Sequence, residues 1–168
     1  MTIYLLRHAI AENRAASGLD RDRALTPDGI AKLNIVLRVA AKAGMDPAMI
    51  LSSPYLRTVE TAAVAHRIFN VEPEVVLSDA LTPEASPRRA WDEMRIWNED
   101  APLLVVTHEP LVSGLFSFLL GSSAQIHEFK KSGIARIDIH RVSAQPGCML
   151  RWLLTPALAA AIALETGD

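Results

Sequence analysis

The segment LLVVTH, Leu103 to His108, is apolar and β-branched without alternation until its last two residues. A strand apolar on both faces has to be covered on both faces, which places it inside a largely parallel sheet layered with helices. The chain supplies partners for it in alternating order. Thr2 to Arg7 and MILSSP read as strands, and PEVVLS as a short one. Thr26 as N-cap, Pro27 at the first helical position and Asp28 in the first turn open a helix that Gly44 stops. Its apolar face is expected to be Ile30, Leu33, Val36, Leu37 and Ala40. Ser53 and Pro54 start a second helix running to about Phe69. SPRRAWDEMRIWNE reads as a third, with Trp91, Met94 and either Ile96 or Trp97 inward. Pro110 admits a fourth, ending at Gly121. GIARIDIHRV alternates cleanly and pairs with CMLRWLL as a closing hairpin, and residues 155–168 form a capped short helix or a frayed tail.

The 168 residues, half of them hydrophobic at a mean hydropathy of +0.19, suit one domain over 1–168. With 17 basic against 19 acidic residues the net charge is −2, so no global field draws nucleic acid or an anionic membrane. The longest apolar runs fall short of the ~20 residues that span a bilayer. Arg7 interrupts the first apolar stretch too early for a signal peptide, and Cys148 is a lone cysteine, which fits a reducing compartment. A cytoplasmic location is the expectation.

The first strand ends in Arg7 and His8, two cationizable side chains whose burial is costly unless something anionic pairs with them. His108 follows the LLVVT strand in the same way. Arg57 lies in the first turn of the helix opened by SSPYLRTVETA, where free backbone N–H groups favour an anion. Two arginines from separate strand–helix junctions can clamp a phosphoryl group, and a neutral imidazole can attack its phosphorus. A second, protonated histidine would spread charge in the transition state.

RHA after the first strand, LTPDG, SSPYLRTVETA and VVTHEP occur in this order between Thr2 and about Gly121. Together they resemble the histidine phosphatase, or phosphoglycerate-mutase-like, superfamily, and the short chain is most similar to its SixA-like phosphohistidine phosphatase branch. The resemblance implies a three-layer α/β/α fold with a mostly parallel central sheet and no metal or organic cofactor. It makes His8 the nucleophile that becomes phosphohistidine, with Arg7, Arg57 and His108 forming the phosphate pocket. Ala9 stands where the wider family has glycine, a change common in the SixA-like branch. For the general acid, the loop SDALTPEASP points to Glu84; Glu109 beside His108 and a water are the alternatives. Arg23 is a further candidate for the phosphate or a substrate carboxylate, or else a solvated loop residue.

The expected substrate is a phosphohistidine on a partner protein, since the chain has no room for the insertions that build a deep lid. A small phosphorylated metabolite, handled by a phosphomonoesterase or mutase, is the alternative. A metal site from His8, His108, Glu12 and Glu109 is disfavoured because the adjacent arginines repel a cation. A silent phosphate-binding module is disfavoured because all four pocket residues are present. His66, His127, His140 and the FKKSG lysines read as surface or packing residues, and Ser53 as a helix cap.

Overall fold

The computed structural model describes residues 1–72, 75–97 and 101–166. A six-stranded sheet, ordered β3-β2-β4-β1-β5-β6, runs through its centre. The strands are β1 (Thr2–Arg7), β2 (Met49–Ser52), β3 (Val76–Leu77), β4 (Leu103–Thr107), β5 (Ile134–Arg141) and β6 (Gly147–Leu154). The helices are α1 (Pro27–Lys42), α2 (Leu56–Phe69), α3 (Pro87–Met94), α4 (Leu111–Leu119) and α5 (Pro156–Thr166). β3, β2, β4 and β1 are parallel, while β5 and β6 add an antiparallel hairpin beside β1.

Period-two side-chain direction divides the core. Tyr4, Leu6, Leu104 and Val106 join one buried cluster with Leu33, Leu37 and Ala65 of α1 and α2. Ile3, Leu5, Leu103 and Val105 join another with Trp91, Leu115 and Phe116 of α3 and α4. Each fully buried Leu or Ile contributes about 1.5–3 kcal/mol, which is why β4 had to be apolar on both sides. The result is the expected three-layer α/β/α arrangement.

Several boundaries differ from those expected. α2 begins at Leu56 rather than after Ser53. The Ser53 amide still bonds to the Val106 carbonyl (3.1 Å), which carries the extended backbone past the end of β2. The face of α1 includes Gly29 and Val39, and Ile30 is exposed instead, because the first turn seats Gly29 against the Ile10 carbonyl. α3 stops at Met94; Trp97 is half-buried and Ile96 lies in solvent. Asn98 and Glu99 of that expected helix, Pro73 and Glu74 of PEVVLS, and Gly167 and Asp168 of the tail lie outside the described residues. The tail is a helix, capped by Thr155, whose Ala159 and Ala163 are buried in the α1 cluster. Cys148 is half-buried in β6. No helix among the described residues is long and apolar enough to cross a membrane.

Candidate active site

β2, β4 and β1 are neighbours in parallel, so their carboxyl ends open on one edge of the sheet. Arg7 is level with Thr107, and Ser52 with Val106. The residues that follow these strands therefore meet, as Arg7–His8, His108 and the Ser53–Arg57 turn. This is the usual ligand edge of an α/β sheet.

His8 is only 6% exposed and its ring lies 5.1 Å, centroid to centroid, from that of His108. His8 Nδ1 sits 2.7 Å from the Ala9 carbonyl oxygen. A carbonyl can only accept, so Nδ1 carries the ring hydrogen and Nε2 of the neutral imidazole keeps its lone pair. The backbone is fixed on both sides, His8 N donating to Thr107 O (3.0 Å) and Ala9 N to the Thr61 hydroxyl (3.1 Å).

His108 is buried, and its Nε2 lies 2.8 Å from Ser53 Oγ. The Ser53 hydroxyl also receives the Tyr55 amide at 3.4 Å, so its own hydrogen is free to go to Nε2. That arrangement leaves the His108 hydrogen on Nδ1, a buried atom without a partner among the described residues. Arg7 Nε and Arg57 Nε are buried and unpartnered in the same way. Buried polar atoms are normally hydrogen-bonded, so three partnerless donors on residues next to or near His8 are groups that an oxyanion could satisfy.

Both arginines are aimed by contacts at their terminal nitrogens. Arg57, 3% exposed, donates from Nη1 to the Asp20 carbonyl (2.8 Å) and from Nη2 to the Asp20 carboxylate (3.0 Å). Its guanidinium also lies 4.9 Å over the Tyr55 ring. Arg7 Nη1 donates to the Phe129 carbonyl. Burial pushes both arginines below their ordinary range, offset in part by Glu109 for Arg7 and by Asp20 for Arg57.

Burial lowers His8 to about 3, with the positive charges of Arg57 and Arg7 adding to it; the Ala9 bond opposes the shift. Burial likewise lowers His108 to about 2, reinforced by His8 and Arg57. Both rings are therefore neutral at neutral pH. The second, protonated histidine expected from sequence would need a bound anion to offset the positive charges that hold His108 down.

The remaining candidates sit further out. Arg23 donates to Asp20 (2.8 Å) and to the Glu12 carbonyl (3.0 Å), so it braces the loop that holds Arg57. Glu84 is exposed and lies 3.4–3.5 Å from the Tyr55 hydroxyl, long for such a bond, while the Tyr55 ring meets His108 at 5.1 Å. The Thr107 hydroxyl anchors this loop through the Leu81 carbonyl (2.7 Å). Glu109 accepts from the Ser113 hydroxyl and from the Phe129 amide (3.0 Å), which commits its carboxylate to the backbone that carries Arg7's partner.

Sequence reasoning missed Asp20, Ser53 and Tyr55 as parts of the site. Ser53 and Tyr55 stood inside the quoted SSPYLRTVETA segment, where Ser53 was read as a cap and Tyr55 was given no role. Asp20 gave no signal that set it apart from Glu12 and Asp22 of the same loop.

Fold and geometry give an α/β protein with a close histidine pair and two arginines at the carboxyl edge of its parallel strands. The family model of the histidine phosphatase superfamily (branch 1) matches residues 3–82. An uncharacterized protein of Picosynechococcus sp. is 32% identical over 149 residues, which cover 83% of this chain and 90% of that protein. The putative phosphohistidine phosphatase SixA from Agrobacterium tumefaciens is 27% identical with a TM-score of 0.76, covering 92% of this chain and 97% of its own. The protein histidine phosphatase SixA complexed with tungstate shares the fold at a TM-score of 0.83 and 23% identity, covering 94% and 98%. The chain belongs to the histidine phosphatase superfamily, in its SixA-like branch, and is a phosphatase of that superfamily.

Proposed function

We propose that this chain removes the phosphoryl group from a phosphohistidine on a partner protein, using His8 as nucleophile, within one domain spanning the chain. The observation that carries the reading is the His8 ring: its hydrogen is pinned on Nδ1, and Nε2 is left as a neutral nucleophile beside three unsatisfied donors. Nε2 attacks phosphorus as the P–N bond to the substrate imidazole breaks, and that imidazole takes a proton as it leaves. Arg7, Arg57 and His108 Nδ1 hold the equatorial oxygens through the transfer. Water then attacks phospho-His8, its proton goes to solvent, and phosphate departs with His8 restored.

The substrate class follows from leaving-group chemistry. Imidazole leaves readily once protonated, whereas an alkyl phosphate needs an acid aimed at its oxygen. Glu109 is committed to Ser113 and Phe129, which leaves Glu84, at the rim, or water as the donor. The short connections after β2 and β4 keep that part of the rim low, which supports a protein-borne substrate. A small phosphorylated metabolite is the second reading, favoured only by the Glu84–Tyr55–His108 contact chain.

Rapid quench with labelled phosphohistidine protein should trap an acid-labile, alkali-stable phosphoenzyme that His8→Ala abolishes together with turnover. Glu84→Gln should barely change hydrolysis of phosphohistidine while eliminating weak alkyl phosphatase activity. Label retained in His8→Ala refutes the nucleophile. A uniform large loss in Glu84→Gln on both substrates makes Glu84 a general acid and favours the metabolite.

A further inference from the structure

A groove of about 600 Å³ runs beside the site between α1, α5 and the turn after Phe129, and Arg7 forms part of its wall. Its apolar lining comes from Ile10, Ile35, Ala157 and Ala160. Ile35 is 37% exposed on the side of α1 that borders the groove. The alanines of α5 keep the groove open: Ala159 and Ala163 pack against α1, while Ala157 and Ala160 present only a methyl to the hollow.

Lys32, Lys130 and Lys131 also line this groove. Lys32 is paired with Asp28 and Lys130, at 3.4 Å, with Glu128, while Lys131 has no ion pair among the described residues. Ser132, also in the wall, is 1% exposed, and its hydroxyl has no partner among the described residues. Its amide donates to the Arg7 and His8 carbonyls (3.2 Å each), so the wall of the groove and the backbone of the nucleophile are one piece of structure.

We infer that this groove docks the polypeptide flanking the phosphorylated residue, and that it selects an acidic segment with one bulky apolar side chain. The inference rests on the proposed protein substrate. The apolar lining accounts for the bulky side chain and the lysines for the acidic flank, and a segment seated there enters the site past Arg7.

The test uses histidine-phosphorylated peptides that differ only in their flanks: Glu with Leu, Glu with Ser, and Lys with Leu. p-Nitrophenyl phosphate serves as the substrate without flanks. On the wild type, the Glu-with-Leu peptide should have a KM at least tenfold below the other two. Ala160→Trp, which fills the groove from an exposed helix position, should raise that KM about tenfold and leave p-nitrophenyl phosphate kinetics within twofold. Lys130→Glu with Lys32→Glu should do the same through charge, giving a second route if the tryptophan disturbs folding. Wild-type discrimination that persists in both variants overturns the groove while the proposed substrate stands. Wild-type activity on all three peptides no better than on p-nitrophenyl phosphate overturns the protein substrate, and the groove with it.

Discussion

Alanine at position 29 tests whether the LTPDG motif serves the active site as well as the helix. A Cβ on Gly29 would lie 2.2 Å from the Ile10 carbonyl oxygen and 3.0 Å from Ile10 C and Cβ, where ordinary contact begins at 3.4 Å. Something must retreat by about 1 Å, and both sides are backbone, which has no rotamer to change. The Ile10 oxygen also accepts from the Thr26 amide (2.9 Å) and hydroxyl (3.3 Å), so the retreat pulls on the cap of α1. Overpacking of this kind costs roughly 1–3 kcal/mol. The helix-propensity gain of Ala over Gly, up to ~1 kcal/mol in a helix interior, is smaller in a first turn. A net loss of about 2 kcal/mol lowers Tm by ~4–8 °C in a chain of this size. Ile10 is two residues from His8, and a displacement of ~1 Å in a reacting group can cost ~10²-fold in rate. Gly29→Ala should therefore lower kcat on an aryl phosphate by ten- to a hundredfold, read beside a circular dichroism melt. Gly114→Ala, whose Cβ meets only the Pro87 side chain at 3.0 Å, should keep near-normal turnover. A Gly29→Ala enzyme with wild-type Tm and kcat would refute the reasoning.

Arg57→Lys keeps the charge but loses the fork that grips Asp20 while leaving Nε free, so kcat/KM should fall roughly 10²-fold and tungstate affinity with it; unchanged titration calorimetry would show that charge alone suffices. Ser53→Ala leaves His108 Nε2 buried without its partner, a penalty of about 1–3 kcal/mol. It should reduce kcat/KM about tenfold or more, and an unaltered His108 ring ¹⁵N spectrum would contradict the tautomer assigned. Folded His8 at about 3 and His108 at about 2 lie below their unfolded value of ~6.5, so the unfolded chain binds more protons between those limits. Stability of the empty enzyme should be fully present above pH ~6.5 and decline as pH falls toward 3. Tungstate should flatten that decline, and melts that are flat from pH 7 to 5 without an oxyanion would argue against neutral buried rings.

The sequence by itself determined the layers and the chemistry-bearing positions. LLVVT admitted only a doubly covered strand, and Thr26–Pro27 admitted only a helix start. Arg7, His8 and His108 were visible because a charge at the end of an apolar strand demands a partner, and Arg57 because it opens a helix where an anion is favoured. These are local signals, written within a few residues of where they act. What tertiary structure decided is how those positions are aimed. Asp20 reaches Arg57 across 37 positions and Ser53 reaches His108 across 55, contacts that no spacing or periodicity encodes. The same holds for the protonation of the histidine pair. An isolated imidazole titrates near ~6.5, and burial beside two guanidiniums keeps both rings neutral far below that pH. Desolvation and Coulomb terms depend on what surrounds a group in space, and that is fixed only when strands distant in sequence close into one sheet.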